Sequence, residues 1–236
     1  MLSNQPGATY VVRTMADPAS FDRFAAEYDR FVSLQPGQNV AWVIGLGLSG
    51  ERALDVGCGS GHAAERLAEQ YERVVGVDLS EPMISLAREK RARPNLEYRV
   101  ADVFAVEDRG FDLVYSHTMM HHLPDYRGGL EHLKSLVRPG GTVAIVDNVC
   151  DLYPTPPRFL YVVGACRGFP RQIARLGWRD AFFEFRFWLS RPWLDHLASD
   201  RYLSRAQFRE LYDDVFPGAQ YTDLGFALAM RWTCDG

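Results

Sequence analysis

Between Arg52 and Asn148 short apolar strands alternate with amphipathic helices, and this alternation constrains the chain more than any other feature. "RALDV", "RVVGVD", "LEYRVAD", "FDLVYSHT" and "TVAIVDN" read as strands. "HAAERLAEQY", "SEPMISLAREK" and "GGLEHLKSLV" read as helices. Ala64, Leu67, Ala68 and Tyr71 fall on one helical face, and Ser80 with Pro82 marks a helix start. In the third strand Leu96, Tyr98 and Val100 are expected to face the core. Strands that are apolar nearly throughout must be covered on both faces, which predicts a parallel, doubly wound sheet.

The flanks differ. Residues 1 to 16 read as a loose arm, and "DPASFDRFAAEYDRFV" as a helix with Asp17 at its N-cap and Pro18 at its first position. Phe21, Phe24, Tyr28 and Phe31 give that helix an aromatic face. Residues 151 to 200 break the strand–helix rhythm with eleven aromatics and seven arginines. "LSRAQFRELYDDVF" carries a capping box, Ser204 with Gln207. "PGAQYTDLGFALAMRW" reads as two strands joined near Gly225. The expected divisions are 1–50 (arm and capping helices), 51–150 (core), 151–203 (helical insertion) and 204–236 (last helix and strands).

The net charge of −4 gives no basic excess to attract nucleic acid. No apolar run reaches the roughly 18 residues that would span a bilayer. The first residues lack the charged segment and apolar stretch of a signal peptide. Cys58, Cys150, Cys166 and Cys234 are scattered, as expected of reduced thiols in a cytoplasmic protein.

Two glycine clusters compete for a cofactor. "GLGLSG" (45–50) matches the dinucleotide fingerprint, yet "ERALDV" after it is a strand. A dinucleotide loop needs a helix there, whose N-terminus faces the pyrophosphate. "NVAWVIGLGLSG" is therefore read as a helix with a glycine-rich stop. "ALDVGCGSGHAAERLA" has the required strand, glycines and helix. Asp55 lies just before its glycines. Asp78 ends the next strand, seventeen residues past Gly61, where an acid can bind both hydroxyls of a ribose.

"LDVGCGSG", "VVGVDLSEPMI", "ADVF", "FDLVYSHTMMHHLPD" and "LVRPGGTVAIVDN", in this order, resemble the class I S-adenosylmethionine (SAM)-dependent methyltransferases. The resemblance is strong over about 17–150 and moderate over the last thirty residues. It implies a Rossmann-like sheet of seven mostly parallel strands, the last antiparallel, with an aromatic-rich helical insertion. It implies SAM as cofactor, S-adenosylhomocysteine (SAH) as product, and these contacts. Gly57, Cys58, Gly59 and Gly61 form the loop under the methionine part. Asp55 orients the loop and the cofactor's amino group. Asp78 binds the ribose, Asp102 the adenine amine. Val103 with Leu79 or Met83 sandwiches the adenine, Ser116 lies beside the cofactor, and Tyr28 and Phe21 close over it. The local alternatives for Asp55, Asp78 and Asp102 are turn or cap acids.

Methyl transfer is an in-line displacement, in which the protein aligns the acceptor and can remove its proton. His117, His121 and His122 follow the fourth strand, on the side of the sheet where ligands bind. His121 is the favoured base, with His117 and Asp147 as further catalytic candidates, and His122 reads as structural or cofactor-adjacent. Asp125 is the only acid near the histidine pair in sequence, so no metal is expected. Asp195 and His196 are neighbours on a helix and do not face each other. "SHTM" replaces the Pro-Pro-aromatic motif of nucleic-acid amine methylases. The insertion reads as a lid for a flat or greasy acceptor. Its rivals are a dimer interface, a plain helical subdomain, and a membrane surface, the last weakened by interspersed acids. The expectation is methylation of a small aromatic or hydrophobic molecule, more at oxygen than at nitrogen or carbon, by a monomer or homodimer. The rivals are a non-methylating SAM-binding cyclase, an NAD-dependent oxidoreductase and a pure interaction protein.

Overall fold

The computed structural model describes residues 18–35, 37–153 and 155–235. The expected arm and the Asp17 cap lie outside them. The aromatic N-terminal segment is not one helix. It is a 3-10 turn, Pro18–Arg23, followed by α1, Ala25–Ser33. The break falls at Phe24 (φ −144°, ψ 25°), whose ring is buried. This break lets Phe21 and Phe31 serve different neighbours.

Helix α2 (Gln38–Gly45) ends in a turn where Gly47 has φ 64°. Gly50 already belongs to β1 (Gly50–Val56). The first glycine cluster therefore joins a helix to a strand, the reverse of a dinucleotide loop. Next come α3 (His62–Leu67), β2 (Tyr71–Asp78) and α4 (Glu81–Lys90). The Ser80 side chain caps α4 by accepting the Met83 N–H, with Pro82 in the first turn. Strands β3 (Leu96–Val100) and β4 (Phe111–His117), helix α5 (Tyr126–Leu136) and strand β5 (Val137–Asn148) complete the central run. The insertion is helical, as expected: α6 (Arg158–Leu176), α7 (Trp178–Trp188) and α8 (Arg191–Ser199). Helix α9 (Arg205–Val215) and the antiparallel strands β6 (Gln220–Asp223) and β7 (Ala227–Thr233) close the chain.

The seven strands lie in the order β3-β2-β1-β4-β5-β7-β6. Pairs from β3 to β5 are parallel, and β7 runs antiparallel to β5. Strand order reverses between β1 and β4, which opens a crevice at their carboxyl ends. One face of the sheet packs Leu130, Leu133, Phe208 and Tyr212, and the other Val43, Leu67, Ile84 and Ala87. In β3 only Tyr98 is buried. Val100 is 39% exposed, against expectation. Val100 is the last residue of this edge strand.

A third cluster joins Phe24 and Phe31 to Phe187, Trp193 and Leu197, so the N-terminal segment packs on the insertion. Buried Asp29 ties α1 to the core. Its carboxylate meets Lys90 at 2.7 Å, Arg91 at 2.8 Å and His62 at 3.2 Å. Burial alone would raise its pKa, but the hydrogen bond and charge of Lys90, the Ser60 hydrogen bond and the Arg91 charge outweigh that and hold it at about 2.

The capping box on α9 forms in both directions. Ser204→Ala should cost about 1 kcal/mol. Thermal denaturation should then show a fall of about 2–4 °C in Tm for a chain of this length.

Candidate active site

The second glycine cluster occupies the β1–α3 turn. Gly57, Gly59 and Gly61 all have positive φ, at 70°, 52° and 88°. Their requirements differ. A Cβ on Gly57 would overlap Met119, and one on Gly61 would overlap Tyr98, whereas one on Gly59 would meet no protein atom within 4 Å. The outer two glycines are demanded by packing, and Gly59 by its backbone conformation alone.

Asp78, at the end of β2, clasps this loop. One carboxylate oxygen accepts the Gly59 N–H at 2.8 Å and the other the Ser80 N–H at 2.9 Å. The Ser80 hydroxyl in turn donates to Asp22 at 2.6 Å. Burial raises the Asp78 pKa against these N–H donors, and the Asp22 charge adds to the rise. Asp55 is almost wholly buried in β1. Burial lifts its pKa to about 7, opposed by the Ala64 N–H and aided by Asp78.

Four buried polar atoms near the ends of β1 and β4 have no hydrogen-bond partner among the described residues: Asp55 Oδ2, Tyr115 Oη, Ser116 Oγ and His117 Nε2. Such atoms are costly unless a ligand or water satisfies them. An ammonium, a ribose and close backbone approach are the features that Asp55, Asp78 and Gly59 fit. Thr118, next to His117, is the one non-glycine residue with positive φ (52°) among the described residues, so the β4 end carries backbone strain.

The adenine-side residues are near but unequal. Asp102 accepts the Phe104 N–H at 2.9 Å and caps a 3-10 turn (Val103–Ala105). Val103 is buried, Met83 almost completely so, and Leu79 is half exposed. Leu79 rather than Met83 therefore offers surface to a ligand. Cys58 is buried and burial pushes its thiol pKa well up, which leaves it an apolar wall. The Tyr28 phenol is pushed up to about 12 by burial and by the charges of Asp78 and Asp200. Phe21 lies 5.0 Å from the Tyr28 ring and 4.4 Å from His196. The N-terminal segment thus lies between the glycine-loop side and the insertion.

Beyond β4 and β5 lies a second polar cluster. His121 Nδ1 is 2.5 Å from Asp147 Oδ1. A carboxylate only accepts, so Nδ1 carries the proton and Nε2 is the basic nitrogen of the neutral ring. Asp147 also accepts from the Tyr126 hydroxyl at 2.8 Å and the Asn148 N–H at 3.0 Å. Tyr126 shares a 3.1 Å hydrogen bond with Tyr212. Burial by itself would lower the His121 pKa. Asp147, through charge and hydrogen bond, and then Asp200, more than offset this and hold it above the ordinary value.

The insertion supplies the opposite wall. Asp200 Oδ2 lies 4.0 Å from His121 Nε2 and accepts the Tyr202 hydroxyl at 2.8 Å. His122 Nδ1 and His196 Nε2 stand 3.6 and 3.9 Å from Asp200 Oδ1. Burial lowers the pKa of both histidines, His122 well below the ordinary value, with His121 adding to it. Burial also brings His117 down to about 4. His121, His122 and Asp200 hold one ligand-type atom each within 4.8 Å of one another, so this is where the described residues could hold a metal ion. Asp125 is elsewhere, capping α5 through the Gly128 N–H. Asp195 faces outward to Arg158 and Arg191, while His196 is buried in the cluster.

The sequence brought His121, His117 and Asp147 forward but missed Asp200, Tyr202, Tyr126 and Tyr212. Nothing in the local pattern marks Asp200, which reaches the cluster only because the insertion folds back. The i, i+4 spacing of His196 and Asp200 was the one available signal.

Residues 54–145 match a family model described as a methyltransferase domain. An uncharacterized methyltransferase of Mycobacterium tuberculosis is 41% identical over 98 residues, 41% of this chain and 50% of that protein. The ubiquinone biosynthesis O-methyltransferase of Aromatoleum aromaticum is 33% identical over 144 residues, 54% of this chain and 61% of that protein. The chain thus spans about half the length of the mycobacterial relative. The structure of the DhpI–SAH complex superposes over 94% of this chain and 97% of its own, with a TM-score of 0.64 at 18% identity, which is a likeness of fold. The matched region, residues 54–145, carries a methyltransferase domain, and motif order and strand order agree with it.

Proposed function

We propose that this protein transfers a methyl group from SAM to an oxygen atom of a small aromatic or hydrophobic molecule. SAM supplies an electrophilic methyl on a sulfonium. Asp55 would pair with its ammonium, Asp78 with the ribose hydroxyls and Asp102 with the adenine amine. Gly59 lets the backbone approach, and Phe21 and Tyr28 cover the site. The observation that carries the oxygen preference is the buried His121–Asp147 pair. It presents a basic nitrogen suited to taking a hydroxyl proton. His117, held neutral, suits a hydrogen-bonding role beside the ligands better than proton transfer. The reading calls on no metal at His121, His122 and Asp200. The ubiquinone relative is named for O-methylation, which supports the same preference. The Phe21 ring, 4.4 Å from His196, favours an apolar acceptor.

A thermal-shift titration with SAH, SAM and NAD side by side tests the cofactor. A ligand at one hundred times its Kd adds about 2.7 kcal/mol, a rise of roughly 5–10 °C for this length. The rise is expected with SAH and SAM and not with NAD. A rise with NAD alone would hand the cofactor to "GLGLSG". Binding without SAH release across phenols, acids and amines would favour the non-methylating reading.

A further inference from the structure

Helix α6 is nineteen residues long and has no buried residue. Phe159, Val163, Cys166, Pro170 and Ala174 follow one another at steps of four, three, four and four. They form a single stripe, and all are exposed. Phe159 is 63% exposed. At the α6–α7 turn Trp178, 61% exposed, stacks on the exposed Phe182 at 6.0 Å. Along the stripe's edge, one residue or about 100° round the helix, stand Arg167 and Arg171.

The segment Arg158–Trp188 has six arginines and two acids, on a chain of net charge −4. The sequence alone made those acids look like interruptions. The structure buries one and pairs the other. Glu184 is buried against Arg175 and Gln172, and Asp180 is engaged by Arg30. Helix α6 itself has no acid. Arg167, Arg171, Arg179 and Arg186 are exposed and make no ion pair among the described residues.

We propose that the α6–α7 hairpin docks on the surface of an anionic phospholipid bilayer. An apolar stripe with exposed Phe and Trp, bordered by arginines, is the pattern of a helix lying in the lipid interface plane. No described helix is long and apolar enough to cross a membrane, so the contact is peripheral. A second copy of the chain is the poorer occupant. A twofold contact centred on this patch sets it against itself, arginine facing arginine. Lipid phosphates complement the same charge. The insertion that touches lipid is the one that contributes His196 and Asp200 to the polar cluster.

Vesicle cosedimentation with the full chain tests this. Vesicles of equal parts phosphatidylglycerol and phosphatidylcholine should bind the protein at least tenfold more tightly than pure phosphatidylcholine. R167E/R171E should lose at least tenfold of that binding, as should F159S/W178S, with the SAH-induced thermal shift retained in both. Raising the salt to about 0.5 M should weaken the wild type. Equal binding to the two vesicles, no binding to either, or unchanged binding by the variants would overturn the proposal. So would a dimer, seen by light scattering, that R167E/R171E dissociates.

Discussion

Asp78→Ala should weaken SAM binding at least tenfold, while Gly47→Ala leaves it within a few-fold. Hydrogen bonds to a charged group contribute about 1.5–3 kcal/mol each, so losing a two-pronged ribose contact reaches tenfold readily. The structure adds a second loss. The same carboxylate accepts the Gly59 and Ser80 N–H groups, so its removal also releases the glycine loop proposed to lie under the methionine part. Gly47 has positive φ but sits between α2 and β1, away from any strand-to-helix loop. Its alanine variant should lose some stability and little affinity. Isothermal titration with SAH separates the two. The reverse order of effects would move the cofactor to the first glycine cluster.

His121→Ala should lower kcat by about 10²–10⁴-fold, the usual contribution of a positioned general base, with SAH affinity nearly unchanged. The pH profile supplies the sign. The base works only when neutral. Asp147 and Asp200 favour the protonated ring and hold its pKa above 6.5 against burial. The acid limb of kcat is therefore expected above the ordinary histidine value, with activity rising as pH rises through it. Asp147→Asn removes the largest contribution that favours protonation, so the limb should move to lower pH. It should also lower kcat, since the ring loses the partner that sets its tautomer. Full activity in His121→Ala, or a limb that Asp147→Asn leaves in place, would remove His121 as the base.

The strand–glycine–helix geometry of the candidate cofactor site was legible because its requirements are local. A strand ending in Asp55, a turn needing positive φ at Gly57, Gly59 and Gly61, and an acid ending the next strand are all set by residues within a few turns of chain. Backbone sterics and the period of the apolar pattern write such features directly into the sequence. For the same reason "GLGLSG" reads as a helix stop. The Ser204–Gln207 box and the Ser80 cap are equally local.

What only the tertiary structure decided depends on contacts between distant segments. The sequence offered one N-terminal helix, and packing split it at Phe24, because its aromatic residues serve two partners, the histidine cluster and the insertion core. His121 and Asp147 were separate candidates, and parallel pairing of β4 with β5 brings them to 2.5 Å. Asp200 reaches the same cluster from more than fifty residues beyond β5. On α7 the sequence showed acids among arginines, but folding buried Glu184 and tied Asp180 to Arg30, leaving a face basic that its composition called mixed. Which side of a helix meets water is set by what packs on the other side, and no local pattern contains that partner.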